Sequence, residues 1–227
     1  MFVYLIIIIL LVYYLSTFNE SFIPYIFNQS ESQDHHENQA LCFPGDALVK
    51  LVDGRYVYMD QLKVGDQVYV VDSCNNVKSD TVSDFLHINY EDTAKYLEIR
   101  LVNNIILCAS DEHLIWVVDK SKYLPLKLLK LGEKVNYYNG QEFEQVAVRD
   151  IRVVQKKGIF APLTKEGSIL VNSVHFSCFS HYGSFKYKNY HKNAKIATLP
   201  IRYGIMPRKY TGKGIHSYAR NLMSLNH

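Results

Sequence analysis

Short apolar runs separated by turn residues follow one another from residue 42 to residue 174. Short runs rich in β-branched and aromatic residues and bounded by turn signals predict strands. The predicted strands are Ala47–Val52, Tyr56–Met59, Val68–Val71, Tyr96–Val102, Ile105–Cys108, Leu114–Val118, Val146–Val154 and Ile169–Val174. The turn signals between them include Asp53-Gly54, Asn103-Asn104 and Asn139-Gly140. Residues Leu124–Leu131 fit a short helix or a further strand, and no stretch has the period of a long amphipathic helix, so the pattern predicts an all-β domain.

The start of the chain differs sharply from this pattern, because its first 15 residues carry no charged side chain. That length suits the apolar region of a signal peptide better than a full bilayer span of about 20 residues. We expect residues 1–18 to be a signal peptide or an uncleaved signal anchor, and residues 19–41 to be a polar linker. Two N-x-Ser sequons begin at Asn19 and Asn28, and such sequons are glycosylated only in the secretory lumen. The expected location is therefore the secretory pathway, with an extracellular or membrane-anchored product.

The 227 residues allow one domain with short appendages. The chain has four cysteines, which are too few and too dispersed for a disulfide scaffold. No two of them have the spacing of metal ligands, so we expect neither a metal site nor a cofactor.

The last 44 residues, 184–227, hold nine of the 25 Lys and Arg residues and no Asp or Glu. Five tyrosines are interleaved with these basic residues. A basic, aromatic segment suits an anionic membrane surface. Nucleic-acid binding is the competing interpretation of this composition, but we expect no nucleic-acid partner for a secreted precursor. A solvated, partly disordered tail is the third interpretation.

Three blocks carry the candidate chemistry. The first reads Cys-Phe-Pro-Gly-Asp from Cys42, and the second is Ser110-Asp111-Glu112-His113 followed by an apolar run. The third runs from Gly158 to Val174 and ends near Cys178. In their order and spacing the blocks resemble the Hint module, in the variety found at the C-terminal half of Hedgehog precursors.

The resemblance implies a fold and a division of the chain. It implies that residues 42–183 form an autoprocessing domain with a flattened, horseshoe-shaped β fold made of two pseudo-two-fold related halves, although the sequence shows no internal duplication. It also implies that residues 184–227 are an adduct-recognition region, for which a sterol or another lipid alcohol is the expected partner.

A cysteine at the start of a domain can attack the carbonyl just before it. The product is a thioester in place of the Leu41–Cys42 peptide bond, and tethering makes the attack effectively unimolecular. The departing nitrogen needs a proton, and His113 is the candidate general acid. Ser110 is placed to hydrogen-bond the scissile peptide or to orient the imidazole. The resemblance implies the same roles, because a Thr/Ser-x-x-His pair beside the first cysteine promotes the N-to-S acyl shift in this family.

The resolving step departs from the family pattern. The resemblance implies an Asp that activates the sterol hydroxyl, and alignment of this segment puts His87 at that position. Asp84 and Asp80 are nearby but out of register. Histidine is also a competent general base, so the expected acceptor is a sterol, another alcohol or water. The alternative interpretation of His87 is a partly exposed strand residue with no catalytic role.

Self-cleavage before Cys42 is therefore the expected function. The alternative is a catalytically inactive, secreted or anchored binding module with the same fold. Intein-type splicing is disfavoured because the chain ends at His227 directly after Asn226, and a trans-acting cysteine protease has no nearby signature here. Cys178 is a candidate redox partner of Cys42.

Overall fold

The computed structural model describes residues 42–181 and 189–224. Within these residues the strands are β1 (Leu48–Lys50), β2 (Tyr56–Tyr58), β3 (Gln67–Val71), β4 (Val77–Leu101), β5 (Ile106–Ala109), β6 (His113–Val117), β7 (Lys122–Pro125), β8 (Lys134–Tyr138), β9 (Phe143–Thr164), β10 (Ser168–Val171) and β11 (Val174–Ser180). Short 3-10 helices cover Val118–Lys120 and Leu126–Leu128, and the helices are α1 (Tyr190–Ala197), α2 (Leu199–Arg202) and α3 (Ser217–Ser224). The prediction of an all-β domain is confirmed, and the helices lie in the C-terminal tail.

All described strand pairs are antiparallel, in the order β2-β1-β10-β11-β6-β8-β9-β4-β3, with β5 on β4 and β7 on β6. Strands β4 and β9 are the longest, at 25 and 22 residues, and pair along almost their whole length. Four register shifts interrupt this pairing. A β-bulge bends a strand and redirects the side chains beside it, so these shifts decide where β4 presents its side chains.

The sequence located most strands but misjudged their extent. Only the last part of β4 was predicted, because its first half is largely polar and half-exposed. The single strand predicted over Ile169–Val174 is wrong, since the chain turns at Asn172 and Ser173, which both have positive φ. That turn starts β11, which the sequence prediction missed. The uncertain stretch Leu124–Leu131 is the end of β7 followed by a 3-10 turn.

Most buried apolar side chains form one large hydrophobic core, a smaller cluster surrounds Cys42, and the tail packs onto the large core. Ile201, Thr198, Arg202 and His216 of the tail are almost completely buried. The tail from residue 189 to residue 221 is therefore folded against the domain, which the interpretation as a solvated segment did not anticipate. The predicted signal peptide, residues 1–18, and the linker, 19–41, lie outside the described residues. No helix in the described ranges is both long and apolar enough to cross a membrane.

Candidate active site

Cys42 is held at the edge of the main core by backbone pairing. Phe43 exchanges both of its backbone hydrogen bonds with Phe160 of β9, at 2.8 and 2.9 Å. The Ser110 N–H donates to the Cys42 carbonyl at 2.9 Å. The Cys42 side chain is buried, in a small cluster with Ala94, Tyr96, Cys108, Ile159 and Ala161. The site thus holds the sulfur of Cys42 in an apolar setting with a fixed backbone.

A bulge in β4 sets the position of His87. Phe85 pairs with Pro162 of β9 and His87 pairs with the next residue, Ala161, so Leu86 is the extra residue on β4. A bulge of this kind re-aims a side chain. Phe160, one residue before Ala161, pairs with the Cys42 segment, so β9 brings the two segments together.

The His87 imidazole contacts the Cys42 thiol. Its Nδ1 lies 3.6 Å from Sγ, and its Nε2 lies 2.9 Å from the backbone oxygen of Lys213. A carbonyl only accepts, so Nε2 carries the hydrogen, and in the neutral ring Nδ1 is left as an acceptor facing the thiol. Burial lowers the pKa of His87, and the hydrogen bond to Lys213 opposes that shift. His87 is therefore neutral at physiological pH and competent as a base.

His113 opens β6 and is completely buried. Its Nε2 donates to the Ser177 carbonyl at 2.9 Å, and its Nδ1 lies 3.0 Å from the Ser180 hydroxyl. The ring packs on Phe43, with the centroids 4.1 Å apart. His113 thus stands next to the residue that follows the nucleophile, with a fixed orientation.

Ser110 is joined to both Cys42 and His113 through its backbone. Its carbonyl accepts from the His113 N–H at 3.0 Å, closing the turn that the sequence indicated. The Ser110 hydroxyl is buried and has no hydrogen-bond partner among the described residues. Leu41, the residue on the other side of the scissile bond, lies outside those residues. The Ser177 carbonyl and the Ser180 hydroxyl contact the ring nitrogens of His113. These two serines, and not the Ser110 hydroxyl, therefore orient the imidazole.

A layer of aromatic side chains lies behind His113. The Ser177 hydroxyl is 2.8 Å from Nδ1 of His191, on α1 of the tail, and His191 stacks on Tyr123 at 4.1 Å. The Tyr123 hydroxyl in turn bonds Nε2 of His175 at 2.7 Å. Burial lowers the pKa of His175 to about 3 and that of His191 to about 3. Both rings are therefore neutral parts of the fold.

The two aspartates near His87 in sequence serve other contacts. Asp84 is buried and accepts a 2.5 Å hydrogen bond from the Tyr210 hydroxyl. Asp80 accepts from the Glu166 N–H at 2.7 Å. The contact with Cys42 is made by His87, the residue that the alignment placed at the position of the base.

None of the four cysteines, all of which lie in the described ranges, is in a disulfide. Cys178 lies in the main core, 3.7 Å from the Thr164 hydroxyl, whereas Cys42 shares its cluster with Cys108. Cys42 and Cys178 lie in different clusters and are not bonded to each other in the structure, and the suggested redox pair stays a prediction. Burial raises the pKa of Cys178 to about 11 and that of Cys108 to about 12, so neither thiol ionises near neutral pH. The described residues contain no group of three or more His, Cys, Asp or Glu side chains that could hold a metal.

Sequence reasoning missed the groups that orient the two imidazoles. Ser177 and Lys213 act through backbone carbonyls, which leave no residue signature. Ser180 lies in an apolar strand that was not predicted. The available signal was the pair of glycines around Lys213, which marks a close backbone approach.

A family model of the Hint module matches residues 29–227. The chain therefore belongs to the Hint family. It is 31% identical over 163 residues to Warthog protein 4 of Caenorhabditis elegans, covering 65% of this chain and 29% of that protein. It is 30% identical over 153 residues to the Sonic hedgehog protein of Danio rerio, covering 61% of this chain and 35% of that protein. These relatives make it a Hint domain of the Hedgehog type, and it spans about a third of their length.

Solved inteins share the fold. The Ssp DnaB mini-intein variant M86 superposes with a TM-score of 0.55 at 13% identity, covering 65% of this chain and 99% of the intein. A bacterial intein-like domain from Clostridium thermocellum gives a TM-score of 0.51 at 14% identity, covering 60% of this chain and 98% of that domain. The predicted Hint fold is confirmed, and identity this low supports the fold alone.

Proposed function

We propose that this chain cleaves itself before Cys42 and transfers the N-terminal acyl group to a sterol, another alcohol or water. The observation that carries the proposal is the 3.6 Å contact between Nδ1 of His87 and the sulfur of Cys42. A nucleophile within reach of a base, which is oriented in turn by a third group, is the general arrangement of covalent catalysis.

In the first step, Nδ1 of His87 takes the thiol proton and the sulfur of Cys42 attacks the Leu41 carbonyl carbon. The C–S bond forms, the C–N bond breaks, and His113 in its protonated form supplies the proton that the departing nitrogen needs. The products are a thioester on Cys42 and a free amine. The proton on His87 then passes to solvent, which returns the base to its active form.

In the second step, His87 takes the proton of the acceptor hydroxyl as its oxygen attacks the thioester carbonyl. The new C–O bond replaces the C–S bond, and the protonated His87 returns a proton to the leaving sulfur. The contact between Nδ1 and Sγ is therefore used in both steps: Nδ1 removes the proton of the thiol in the first and returns a proton to the sulfur in the second. The sequence alone suggested His87 only for the second step, and the contact with Cys42 adds the first.

The tail supports a lipid-like acceptor and contact with a membrane surface. Leu199, Tyr203 and Ile205 are apolar side chains exposed on it, at 39%, 61% and 65%. Exposed apolar groups beside basic residues suit the boundary of an anionic bilayer. Some of the basic residues face inward: Lys195 pairs with Glu166 at 2.7 Å, and Arg202 is buried.

We also place the protein in the secretory pathway. The apolar first 15 residues and the sequons at Asn19 and Asn28 support this location. Expression in a secreting cell should give a product that shifts in mass on enzymatic removal of N-glycans, and the Asn19→Gln, Asn28→Gln double variant should not shift. A product that stays unglycosylated and cytosolic would contradict this location.

Mass spectrometry of the purified chain with dithiothreitol tests the cleavage. The expected fragment begins at Cys42, and Cys42→Ala should abolish it. Cys74→Ala is the matched control, because Cys74 is an exposed free thiol and its loss should leave cleavage unchanged. Cleavage that persists in Cys42→Ala would refute the assignment of the nucleophile. A wild-type chain that neither dithiothreitol nor hydroxylamine cleaves is instead the inactive binding module.

A further inference from the structure

The C-terminal tail pairs with β4 at the bulge that positions His87. The His216 N–H donates to the Leu86 carbonyl at 2.9 Å, and the Ile88 N–H donates to the Gly214 carbonyl at 2.9 Å. His87 and Ile215 form the antiparallel bridge between these two bonds. This stretch of β4 lies between the segments that pair with β3 and with β5, so the tail fills the gap along that edge.

Asp84 anchors the tail to β4. The Asp84 side chain is buried, with a relative exposure of 2%, and a buried carboxylate is costly unless partners surround it. The tail supplies the Tyr210 hydroxyl at 2.5 Å and Nε of Arg208 at 3.6 Å. His216, whose pKa is lowered by burial, adds a neutral ring with its Nε2 3.8 Å from the carboxyl. Removal of the tail would leave this carboxylate without them, so docking of the tail is strongly favoured.

Gly214 is the residue that permits the close approach. Its φ is +79°, and a Cβ added there would lie 1.8 Å from the Ile88 carbonyl oxygen. No side chain fits at that distance, and L residues rarely adopt that backbone conformation. Gly212 lies two residues earlier in the same loop, and an added Cβ there would meet nothing within 4 Å. The two glycines therefore form a matched pair for mutation.

We propose that the tail is a built-in part of the catalytic centre, in which the Lys213 backbone carbonyl, held in place by Gly214, points Nδ1 of His87 at the Cys42 thiol. Lys213 is thus a positioning residue that acts through its main chain. This inference rests on the proposed function for its catalytic consequence. The Nε2–Lys213 hydrogen bond of 2.9 Å is the contact that fixes the hydrogen on the outer nitrogen. Without it the ring can rotate or change tautomer, and misplacement of a reacting group by about 1 Å costs about 10²-fold in rate.

The first test compares Gly214→Ala with Gly212→Ala in the full chain by following thiol-induced and spontaneous cleavage. We expect Gly214→Ala to slow cleavage by about 10²-fold, and Gly212→Ala to cleave at the wild-type rate. Both changes are then repeated in a His87→Ala background. Because the tail acts through His87, Gly214→Ala should cost little there, which is the non-additivity expected of coupled residues. An equal loss in both backgrounds would mean that the tail has only a general structural role, and would overturn the proposal.

The second test reads His87 directly and needs no cleavage. In a Cys42→Ala background, nitrogen NMR of labelled histidines reports which ring nitrogen of His87 carries hydrogen. We expect the hydrogen on Nε2 in the parent and in Gly212→Ala. In Gly214→Ala this preference should be lost, and the His87 titration should move up toward its ordinary value of about 6.5 as the ring becomes exposed. An unchanged His87 signal in Gly214→Ala would overturn the inference even if the chain proves inactive.

Tyr210→Phe provides a milder variant if Gly214→Ala does not fold. It removes the hydrogen bond to Asp84 while keeping the ring. The expected changes in the cleavage rate and in the His87 signal have the same direction as in Gly214→Ala and are smaller. A Tyr210→Phe chain that matches the parent in both measurements would contradict the anchoring role of Asp84.

Discussion

His87 contacts Cys42 and His113 packs on the next residue, Phe43, but the two histidines are held by different kinds of structure. His113 is fully buried at the start of β6, and both of its ring nitrogens contact β11. His87 is half-buried at a bulge of β4, and its outer nitrogen contacts the tail. The orientation of His113 is thus fixed by a strand of the sheet, and that of His87 by the C-terminal tail that follows the sheet.

In the proposed mechanism this difference separates proton donation by His113 from proton abstraction by His87. Breaking the peptide bond needs a proton donor near the departing nitrogen, and in the proposed mechanism the buried His113 is that donor. The thiol and the acceptor hydroxyl must both lose a proton to a base, and the proposed base, His87, lies where the tail meets the domain. We therefore expect substitution of His113 to slow cleavage most strongly. Substitution of His87 should slow cleavage less and should also alter its dependence on pH.

The largest expected effect is that of His113→Ala. Loss of a general acid should slow thiol-induced cleavage by about 10²–10⁴-fold. His181→Ala is the matched control, because His181 is also a buried histidine, with its Nδ1 3.4 Å from Glu112. The control should lose stability and keep its cleavage rate once folded. Fragment mass and yield over time give both rates, and equal rates in the two variants would show that His113 is structural.

His87→Ala should have the next largest effect, about 10²-fold near neutral pH. The His87 pKa is lowered by burial, so the base is active in its neutral form and the wild-type rate should rise with pH below about 6.5 rather than above it. His87→Ala should lose that rise. Its defect in thiol-induced cleavage should also shrink in alkali, which ionises Cys42 without a base. A pH series of cleavage rates measures both features, and a wild-type profile retained in His87→Ala would refute the assignment.

The difference between the two histidines also explains how much of the site could be predicted from the sequence. The Cys42, Ser110 and His113 positions follow from local motifs, and the turn before β6 depends on residues within a few positions of one another. The turn lies where the sequence indicated it because its signal is local, and the catalytic roles of the three residues stay predictions.

The surroundings of His87 depend on pairing between distant segments. The bulge at Leu86 exists only in the register of β4 against β9, and the Lys213 carbonyl approaches from 126 residues away. A register shift has no sequence signature of its own, since side-chain alternation continues on both sides of it. The alignment made His87 a candidate, and its contacts with Cys42 and Lys213 are visible only in the three-dimensional structure.

Acid should weaken the layer behind His113. Burial lowers the pKa of His175 and of His191 to about 3, so the unfolded chain binds protons that the folded chain does not. Stability from these rings is complete above the unfolded pKa of about 6.5 and is lost as pH falls below it, by up to about 1.4 kcal/mol per pH unit for each ring. Urea unfolding of Cys42→Ala between pH 7 and pH 5 measures the slope. His191→Asn should lower it, and a slope unchanged by this substitution would contradict burial of a neutral ring.

The smallest expected effects come from Ser180 and Ser110, two serines near His113 whose substitution by alanine should change stability in opposite directions. Ser180→Ala removes a hydrogen bond to Nδ1 of His113, and a net loss of about 1 kcal/mol corresponds to about a fivefold slower cleavage together with lower stability. Ser110→Ala removes a buried hydroxyl that has no partner among the described residues. We expect it to slow cleavage by a similar few-fold factor while raising the free energy of unfolding, because an unsatisfied buried hydroxyl is destabilising.

Ser110→Thr is the control for that contrast, because it keeps the hydroxyl and should keep most of the cleavage rate. Stabilities are compared in the Cys42→Ala background, so that cleavage does not interfere with unfolding. If Ser110→Ala is less stable than its parent, its hydroxyl already has a structural partner, and the gain from removing an unpaired group is disproved. If Ser110→Ala is more stable than its parent but cleaves more slowly, the Ser110 hydroxyl acts on the scissile peptide. In that case this buried hydroxyl lowers the stability of the fold and is needed for the reaction.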